Sequence, residues 1–374
     1  MNRKNASKEK VVHEVRKICI QGCTQKIFSA VAAGVCLDKG HEKYSRVYTH
    51  GKTNYTFAAN QVNTHTLFDL ASLTKPLCTA LCIMHLVAEK RLTLYTPLAD
   101  LYPHCNPVTG TILIGHLLSH CSGLPAYKTY FTEYRPPFSH LQITTSLIES
   151  ILSEKLENKP GQVTVYSDLG YIVLGDIIEK VSGVKLERYF QWKVTDPLSI
   201  SDSLFFLTAS AQPKAAEVVA TEQCTWRKRL LQGEVHDEHC SLMGGVAGHA
   251  GLFGNIKGVM KLVEEMLFAW IGKQHSPALA GSQFSSLFQT WYRGSPRYLG
   301  FDRPTPGISS SGTYFSPESA GHLGFTGTSF WMDPVKKIAV VLLTNRVHPS
   351  RTNEKIRQFR PLFHNRIMEI VGCL

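Results

Sequence analysis

Phe68-Asp69-Leu70-Ala71-Ser72-Leu73-Thr74-Lys75-Pro76, running on to Lys90, sets the organisation of this chain. Leu77, Ala80, Leu81, Ile83, Met84, Leu86 and Val87 leave almost no polar face, the pattern of a helix enclosed by protein rather than laid on a surface. Pro76 fits such a helix if it stands in the first turn, where its missing N–H would have had no intrahelical partner. The helix is therefore expected to begin at or just before Ser72. Its far end falls near Lys90 and Arg91, whose charge suits the negative end of the dipole. In that frame Ser72 and Lys75, three apart, share one face. A hydroxyl at the tip of a buried helix lies beside unsatisfied backbone N–H groups that stabilise developing negative charge. Burial and the same positive pole favour a neutral amine, so the spacing predicts a Lys75 of lowered pKa that exchanges protons with Ser72.

Working outward, Val11 to Lys26 has helical spacing. Phe28 to Cys36 and Lys43 to Thr49 read as two strands around an Asp38-Lys39-Gly40 turn. From Leu92 to about Gly245 the pattern is mostly helical, with Ile112 to Ser119, Ile143 to Leu156, Leu169 to Val181 and Leu186 to Trp192 joined by Pro and Gly loops. Strand character then returns in Phe325 to Met332 and Ile338 to Thr344, separated by Asp333-Pro334. Asn353 to Val371 is helical apart from Pro361. Strands at both ends with helices between them imply an α+β fold: an antiparallel sheet flanked by helices, plus an inserted, mostly helical subdomain. The expected organisation is a single unit, 1–374, with 1–66 and 246–374 forming the sheet subdomain and 67–245 the helical one.

Composition narrows the class. At 374 residues, 43% hydrophobic and 18% charged, the chain has the make-up of a soluble globular protein with room for a large core. No run of eighteen apolar residues occurs, so no membrane span is expected. The polar, basic stretch Met1 to Lys10 and an apolar patch broken by Gln21, Gly22, Gln25 and Lys26 do not form a signal-peptide core. Ten cysteines without a C-x-x-C pair read as buried small hydrophobes in a reducing compartment, which points to the cytoplasm, with the periplasm as the alternative. The formal charge of +11 is spread along the chain without a basic block or an aromatic-interleaved stripe, so no nucleic-acid partner is expected. Nothing in the sequence specifies an oligomeric state.

A serine and a lysine do not complete an acyl-transfer site, which also needs a proton acceptor and oxyanion donors. Two later stretches can supply them. In Val165-Tyr166-Ser167-Asp168-Leu169-Gly170-Tyr171, a tyrosine close to a lysine ammonium could hold a depressed pKa and act as base, with Asp168 positioning the lysine. Equally, Ser167 and Asp168 are ordinary helix-capping types and Tyr166 a packing aromatic. In Gly321-His322-Leu323-Gly324-Phe325-Thr326-Gly327-Thr328, at the expected start of a strand, glycines allow close approach and Phe325 N–H could face an oxyanion; a glycine-rich bulge is the structural alternative.

These three elements, in this order, resemble those of the penicillin-recognising serine hydrolases. That family comprises serine β-lactamases, D-alanyl-D-alanine carboxypeptidases and related esterases, with the signature S-x-x-K, S/Y-x-N and K-T-G. The tyrosine of the second motif points to the class C branch. His116-Leu117-Leu118-Ser119-His120-Cys121-Ser122-Gly123-Leu124-Pro125, Gly248-His249-Ala250-Gly251-Leu252-Phe253 and Thr344-Asn345-Arg346 carry the likeness over most of the chain, from about Phe28 to Arg346. The resemblance implies a hydrolase working through a covalent acyl-enzyme, with Ser72 as nucleophile, Lys75 as its proton partner and Tyr166 as base. It implies an oxyanion hole made by the N–H groups of Ser72 and Phe325, substrate contacts at Asp168, His322 and Gly324, and neither metal nor cofactor. The implied substrate is a cell-wall peptide of the D-Ala-D-Ala type or a carboxylic ester; a β-lactam, or peptide binding without catalysis, are the alternatives.

The departures bear on substrate. Asp168 stands where the family usually has asparagine, and His322-Leu323 where it has the lysine and threonine that hold a carboxylate. Histidine is cationic only in part near neutral pH and leucine offers no hydroxyl. Arg346 or Arg351 is the remaining source of positive charge. A metal hydrolase is the competing class. His116 and His120 are four apart on an expected helix, but Leu117 stands where such a site needs Glu, and His236-Asp237-Glu238-His239 is a loop whose adjacent side chains diverge.

Overall fold

Strand-forming residues from the two ends of the chain meet in one antiparallel sheet. The computed structural model describes all residues except 1–2, 39, 41–42, 135–136, 209–212, 215–216, 274–275, 280–281, 293–294 and 373–374. Across the sheet the strands run Lys43–Gly51, Ala30–Asp38, Ile338–Thr344, Ser329–Asp333, Ala320–Leu323. Val35 faces Val340, and Val340 faces Trp331. The central strand, Ile-Ala-Val-Val-Leu-Leu-Thr, is buried throughout, as a continuous apolar run requires when both faces are covered. The period of two divides its neighbour cleanly. Val31, Ala33 and Val35 join one core with Val11, Val15, Phe359 and Phe363, while Ala30, Ala32 and Cys36 join the other with Leu77, Leu81 and Val259. Helices Arg3–Thr24 and Ile356–Gly372 therefore cover one face, and Ile256–Trp270 lies on the other with the serine helix.

Three sequence expectations need correction. Helix Ile256–Trp270 was not anticipated, although Asn255 marks its start by accepting from Lys257 N and Gly258 N, both at 3.0 Å. The glycine-rich stretch is not the start of one strand but a hairpin, Ala320–Leu323 turning into Ser329–Asp333, with Gly324 N donating to Thr328 O at 2.7 Å. The serine helix is not uniform: Ala71–Leu73 is a 3-10 turn, Lys75–Ala80 winds as π-helix, and α geometry holds only over Leu81–Ala88. Pro76, which supplies no N–H, sits in the wide turn.

A small sheet of Phe68–Asp69, Leu252–Gly254 and Leu204–Phe206 holds the chain just ahead of Ser72. Helix Asp168–Ser182 packs beside Leu81–Ala88, and Ile114–Leu118 and His140–Leu152 pack on Asp168–Ser182. Asp168–Ser182 is bounded by Ser167, whose Oγ accepts from Gly170 N, and by Gly183 at φ 73°. Ala71–Ala88 is long and apolar enough to cross a membrane, yet 78% of it is buried inside the protein, the condition of a core helix. Nine cysteines are free; Cys373 lies outside the described residues.

Candidate active site

Ser72 is placed by the turn before it. The buried Asp69 accepts from Ala71 N through Oδ1 at 2.8 Å and from His236 N through Oδ2 at 2.7 Å. Ala71 is thereby held at φ 48°, a left-handed conformation that costs a non-glycine residue about 1–3 kcal/mol and persists only where the surroundings enforce it. The hairpin grips the same turn from the other side, since Thr326 Oγ1 donates to Asp69 O at 2.8 Å and Thr328 Oγ1 to Leu70 O at 3.1 Å. A Cβ on Gly324 would lie 1.9 Å from Thr328 Oγ1 and 2.6 Å from Leu70 O, so only glycine permits this approach.

Lys75 is fully buried and its Nζ meets three acceptors: Ser72 Oγ at 3.1 Å, His249 O at 2.9 Å and Asp168 Oδ1 at 2.7 Å. Two hydrogen bonds and an ion pair at 2.7 Å are the surroundings of an ammonium group, although the Asp168 Oδ1 contact is an ion pair and not a hydrogen bond. Burial by itself would lower the lysine pKa, but the Asp168 carboxylate and the Tyr166 phenol outweigh it and hold Lys75 above its ordinary value. The expectation of a neutral lysine is thus corrected: desolvation is present, but an adjacent carboxylate overrides it.

Tyr166 closes the group. Its ring centroid lies 5.1 Å from Lys75 Nζ, and its phenol feels both Ser72 and Lys75. Its ring stacks on His120 at 4.5 Å and carries the Arg297 guanidinium 5.0 Å from its centroid. His120 Nδ1 accepts from Ser167 N at 3.0 Å, which ties the tyrosine loop to that ring. Burial lifts the phenol pKa, the Lys75 charge opposes, the Asp168 carboxylate adds to the rise, and the net direction is upward. Tyr166 rests as a phenol, not the phenolate that a depressed pKa would give.

On the hairpin side, Phe325 N–H has no acceptor among the described residues, while Phe325 O accepts from Arg346 Nε at 2.7 Å. The Phe325 ring is 47% exposed and stacks on His236 at 5.6 Å. His322 is buried, its ring 5.9 Å from that of Tyr166. Its Nδ1 donates to Leu323 O at 2.9 Å, and Nε2 has no partner among the described residues. Burial pushes its pKa down to about 4, so His322 is neutral at pH 7 and not the partial cation expected. The arginines do not replace that charge. Arg346 is spent on the carbonyls of Phe325, Arg351 and Asn353, and Arg351 pairs with Glu222 and Glu238.

Ser72, Lys75, Tyr166 and Asp168 thus converge from two distant segments, with Gly324 and Phe325 beside the Ser72 turn. Sequence reasoning missed Asp69, the His249 carbonyl and His120. The Gly248-His249 backbone is drawn in by Thr79 Oγ1, which donates to Gly248 O at 2.6 Å, and by the His249 Nε2–Asp237 Oδ1 pair at 2.8 Å. The histidines weighed as metal ligands have other roles. Helix Ile114–Leu118 ends before His120, which sits at φ 57°, while His236 pairs with Glu222 and Glu238 with Arg351.

A sequence model of the beta-lactamase family matches residues 37–362. The chain is 30% identical over 364 residues to an "N-acetylmuramyl-L-alanine amidase" of Bacillus subtilis (strain 168), covering 91% of this chain and 81% of that protein. It is 32% identical over 314 residues to a "Putative D-alanyl-D-alanine carboxypeptidase" of Escherichia coli (strain K12), covering 77% and 71%. The fold superposes with a TM-score of 0.68 on the octameric penicillin-binding protein homologue from Pyrococcus abyssi, at 22% identity over 91% of this chain and 75% of that one.

Proposed function

Since the chain belongs to the beta-lactamase family, whose members are hydrolases, we propose that it hydrolyses an amide or ester bond through a covalent acyl-enzyme on Ser72. The observation that carries this reading is the meeting of Ser72 Oγ and Lys75 Nζ at 3.1 Å, with the Tyr166 ring 5.1 Å from Nζ, beside a hairpin whose Phe325 N–H is left without an acceptor among the described residues. In this reading Ser72 Oγ attacks the scissile carbonyl, and the N–H groups of Ser72 and Phe325 hold the oxyanion, an arrangement in which one donor is worth about 100- to 1000-fold in rate. Tyr166, resting as a phenol, gives its proton to the leaving group as the tetrahedral intermediate collapses. The resulting phenolate then takes a proton from within the site and returns to the phenol, and water cleaves the acyl-enzyme along the same path in reverse.

For substrate we infer an amide bond in a cell-wall peptide, with a carboxylic ester as the second reading. The names of the relatives, an "N-acetylmuramyl-L-alanine amidase" and a "Putative D-alanyl-D-alanine carboxypeptidase", support the first. Among the described residues, His322 is neutral, Leu323 apolar, Arg346 and Arg351 are engaged, and Arg297, beside the Tyr166 ring, is paired with Asp302, so no unpaired cation is at hand to receive a terminal carboxylate, and Asp168 adds a carboxylate there. An amide inside the peptide is therefore favoured over the terminal D-Ala-D-Ala bond, and β-lactam hydrolysis is disfavoured. The test is a panel of a D-Ala-D-Ala peptide, its C-terminal carboxamide, a muramyl-L-alanyl amide, a chromogenic cephalosporin and p-nitrophenyl acetate. Like charges brought together cost several kcal/mol, so the carboxamide should exceed the free acid by at least about tenfold in kcat/KM. Preference for the free acid would overturn the substrate assignment.

A further inference from the structure

We propose that Asp168, acting through Lys75, is the proton acceptor that activates Ser72; the inference rests on the reading of Ser72 as nucleophile. A nucleophilic alcohol must lose its proton as it attacks, and the acceptor must carry a free lone pair. As an ammonium Lys75 Nζ has none to offer: it donates to Ser72 Oγ and His249 O, and the Asp168 carboxylate 2.7 Å away holds its charge. The Tyr166 phenol keeps its own proton. His322 and His120 are neutral, but neither has a hydrogen bond to Ser72 or Lys75, and His120 Nδ1 is already occupied by Ser167 N. Among the described residues, the carboxylate in contact with the group is that of Asp168, 2.7 Å from Nζ.

The step balances within the four side chains. As the Oγ–C bond forms, the Ser72 proton passes to Nζ while a different Nζ proton passes to Asp168 Oδ1. Lys75 keeps three protons throughout and Asp168 becomes a neutral carboxylic acid. When the leaving group takes the Tyr166 proton, the Asp168 proton returns through Nζ to the phenolate, restoring the resting state. Counting the oxyanion of the tetrahedral intermediate, the site is net-neutral at every stage, which suits a fully buried lysine, since isolated charge there is costly. Several other groups also face the pair. Tyr127, His239 and Tyr166 interact electrostatically with Asp168, and His120, His322 and Cys240 with Lys75, whose Nζ also lies 5.1 and 5.6 Å from the Tyr166 and Tyr171 rings. Asp168 acts on the reacting atoms through Lys75, so its mark is a pH dependence and not a contact with substrate.

The experiment measures the rate of inactivation by an alkyl fluorophosphonate between pH 5 and 10, in wild type, Ser72→Ala and Asp168→Asn. With Asp168 as acceptor the wild-type rate is flat within about threefold from pH 7 to pH 9, because no proton has to leave the lysine before the attack. A neutral lysine as acceptor would instead give a rise of about tenfold per pH unit over that range, since Lys75 rests protonated, and that rise would overturn the proposal. In Asp168→Asn the lysine must lose its own proton first, so the acid limb should move up by more than about one pH unit and the rate at its foot should fall by about 100-fold. An unmoved limb in a folded variant would overturn it too. The wild-type profile decides the question even if Asp168→Asn does not fold. Equal reaction of wild type and Ser72→Ala would instead remove the nucleophile assignment, and the proposal with it.

Discussion

Lys75 and Asp168 form an ion pair of 2.7 Å in which the ammonium is fully buried and the carboxylate side chain is 22% exposed. The pair joins the serine helix to the start of helix Asp168–Ser182, so it is both a charge-setting and a cross-linking contact. Breaking a buried pair by removing one partner typically costs about 3–5 kcal/mol, because the other charge is left without compensation. Asp168→Ala should therefore lower the urea-unfolding free energy by about 3 kcal/mol, and Lys75→Met combined with Asp168→Leu should recover most of it. A loss below about 1 kcal/mol in the single variant would show that the lysine is neutral after all.

Tyr166→Phe removes only the phenol oxygen and leaves the ring on His120. With Tyr166 as the acid that serves the leaving group, kcat on an amide should fall by about 100- to 10,000-fold. Turnover of p-nitrophenyl acetate should fall far less, because its leaving group departs without a proton. Equal losses on the two substrates would contradict the role.

Gly324→Ala places a methyl group against Thr328 Oγ1 and the Leu70 carbonyl, at 1.9 and 2.6 Å before relaxation. The hairpin must move away from the Ser72 turn and carry Phe325 N–H with it. The expected result is a kcat loss of about 100-fold, the scale for one lost oxyanion donor, with KM changed little. A fully active variant would place the oxyanion donor elsewhere.

His85 and His322 are pushed down to about 4 and His364 to about 3, in each case by burial. The folded chain refuses protons that the unfolded chain accepts below the ordinary histidine pKa. Stability is therefore complete above about pH 6.5 and is lost as the pH falls towards 4, by an amount on the order of 3 kcal/mol for His322 alone. Urea midpoints at pH 7.5 and 5 measure this, and His322→Gln should show a smaller drop than wild type. Equal drops would mean that His322 is protonated in the folded state.

Much of the site was legible because its residue types are constrained locally. An S-x-x-K pair at the tip of an apolar run, a Y-x-D ahead of a helix and a glycine-rich edge each have a spacing that chemistry restricts. Their charge states were not legible. Desolvation of Lys75 could be inferred from its apolar neighbours, but that Asp168 lies 2.7 Å away, and so reverses the outcome, is a fact of tertiary geometry. The His249 carbonyl left no trace in the sequence either, since any residue supplies a backbone acceptor. In the fold, the alternating strands Ala30–Asp38 and Ile338–Thr344 were readable, whereas the hairpin at Gly321 to Thr328 was hidden because its turn depends on contacts with Asp69 and Leu70.

The most direct test of Ser72 as the acylated nucleophile is mass spectrometry of the protein after brief exposure to an alkyl fluorophosphonate. A single adduct mapping to the peptide that contains Ser72, and absent from a folded Ser72→Ala variant, is the expected result; activity in that variant should fall by about a million-fold. An adduct on another residue, or an equally active Ser72→Ala protein, would contradict it.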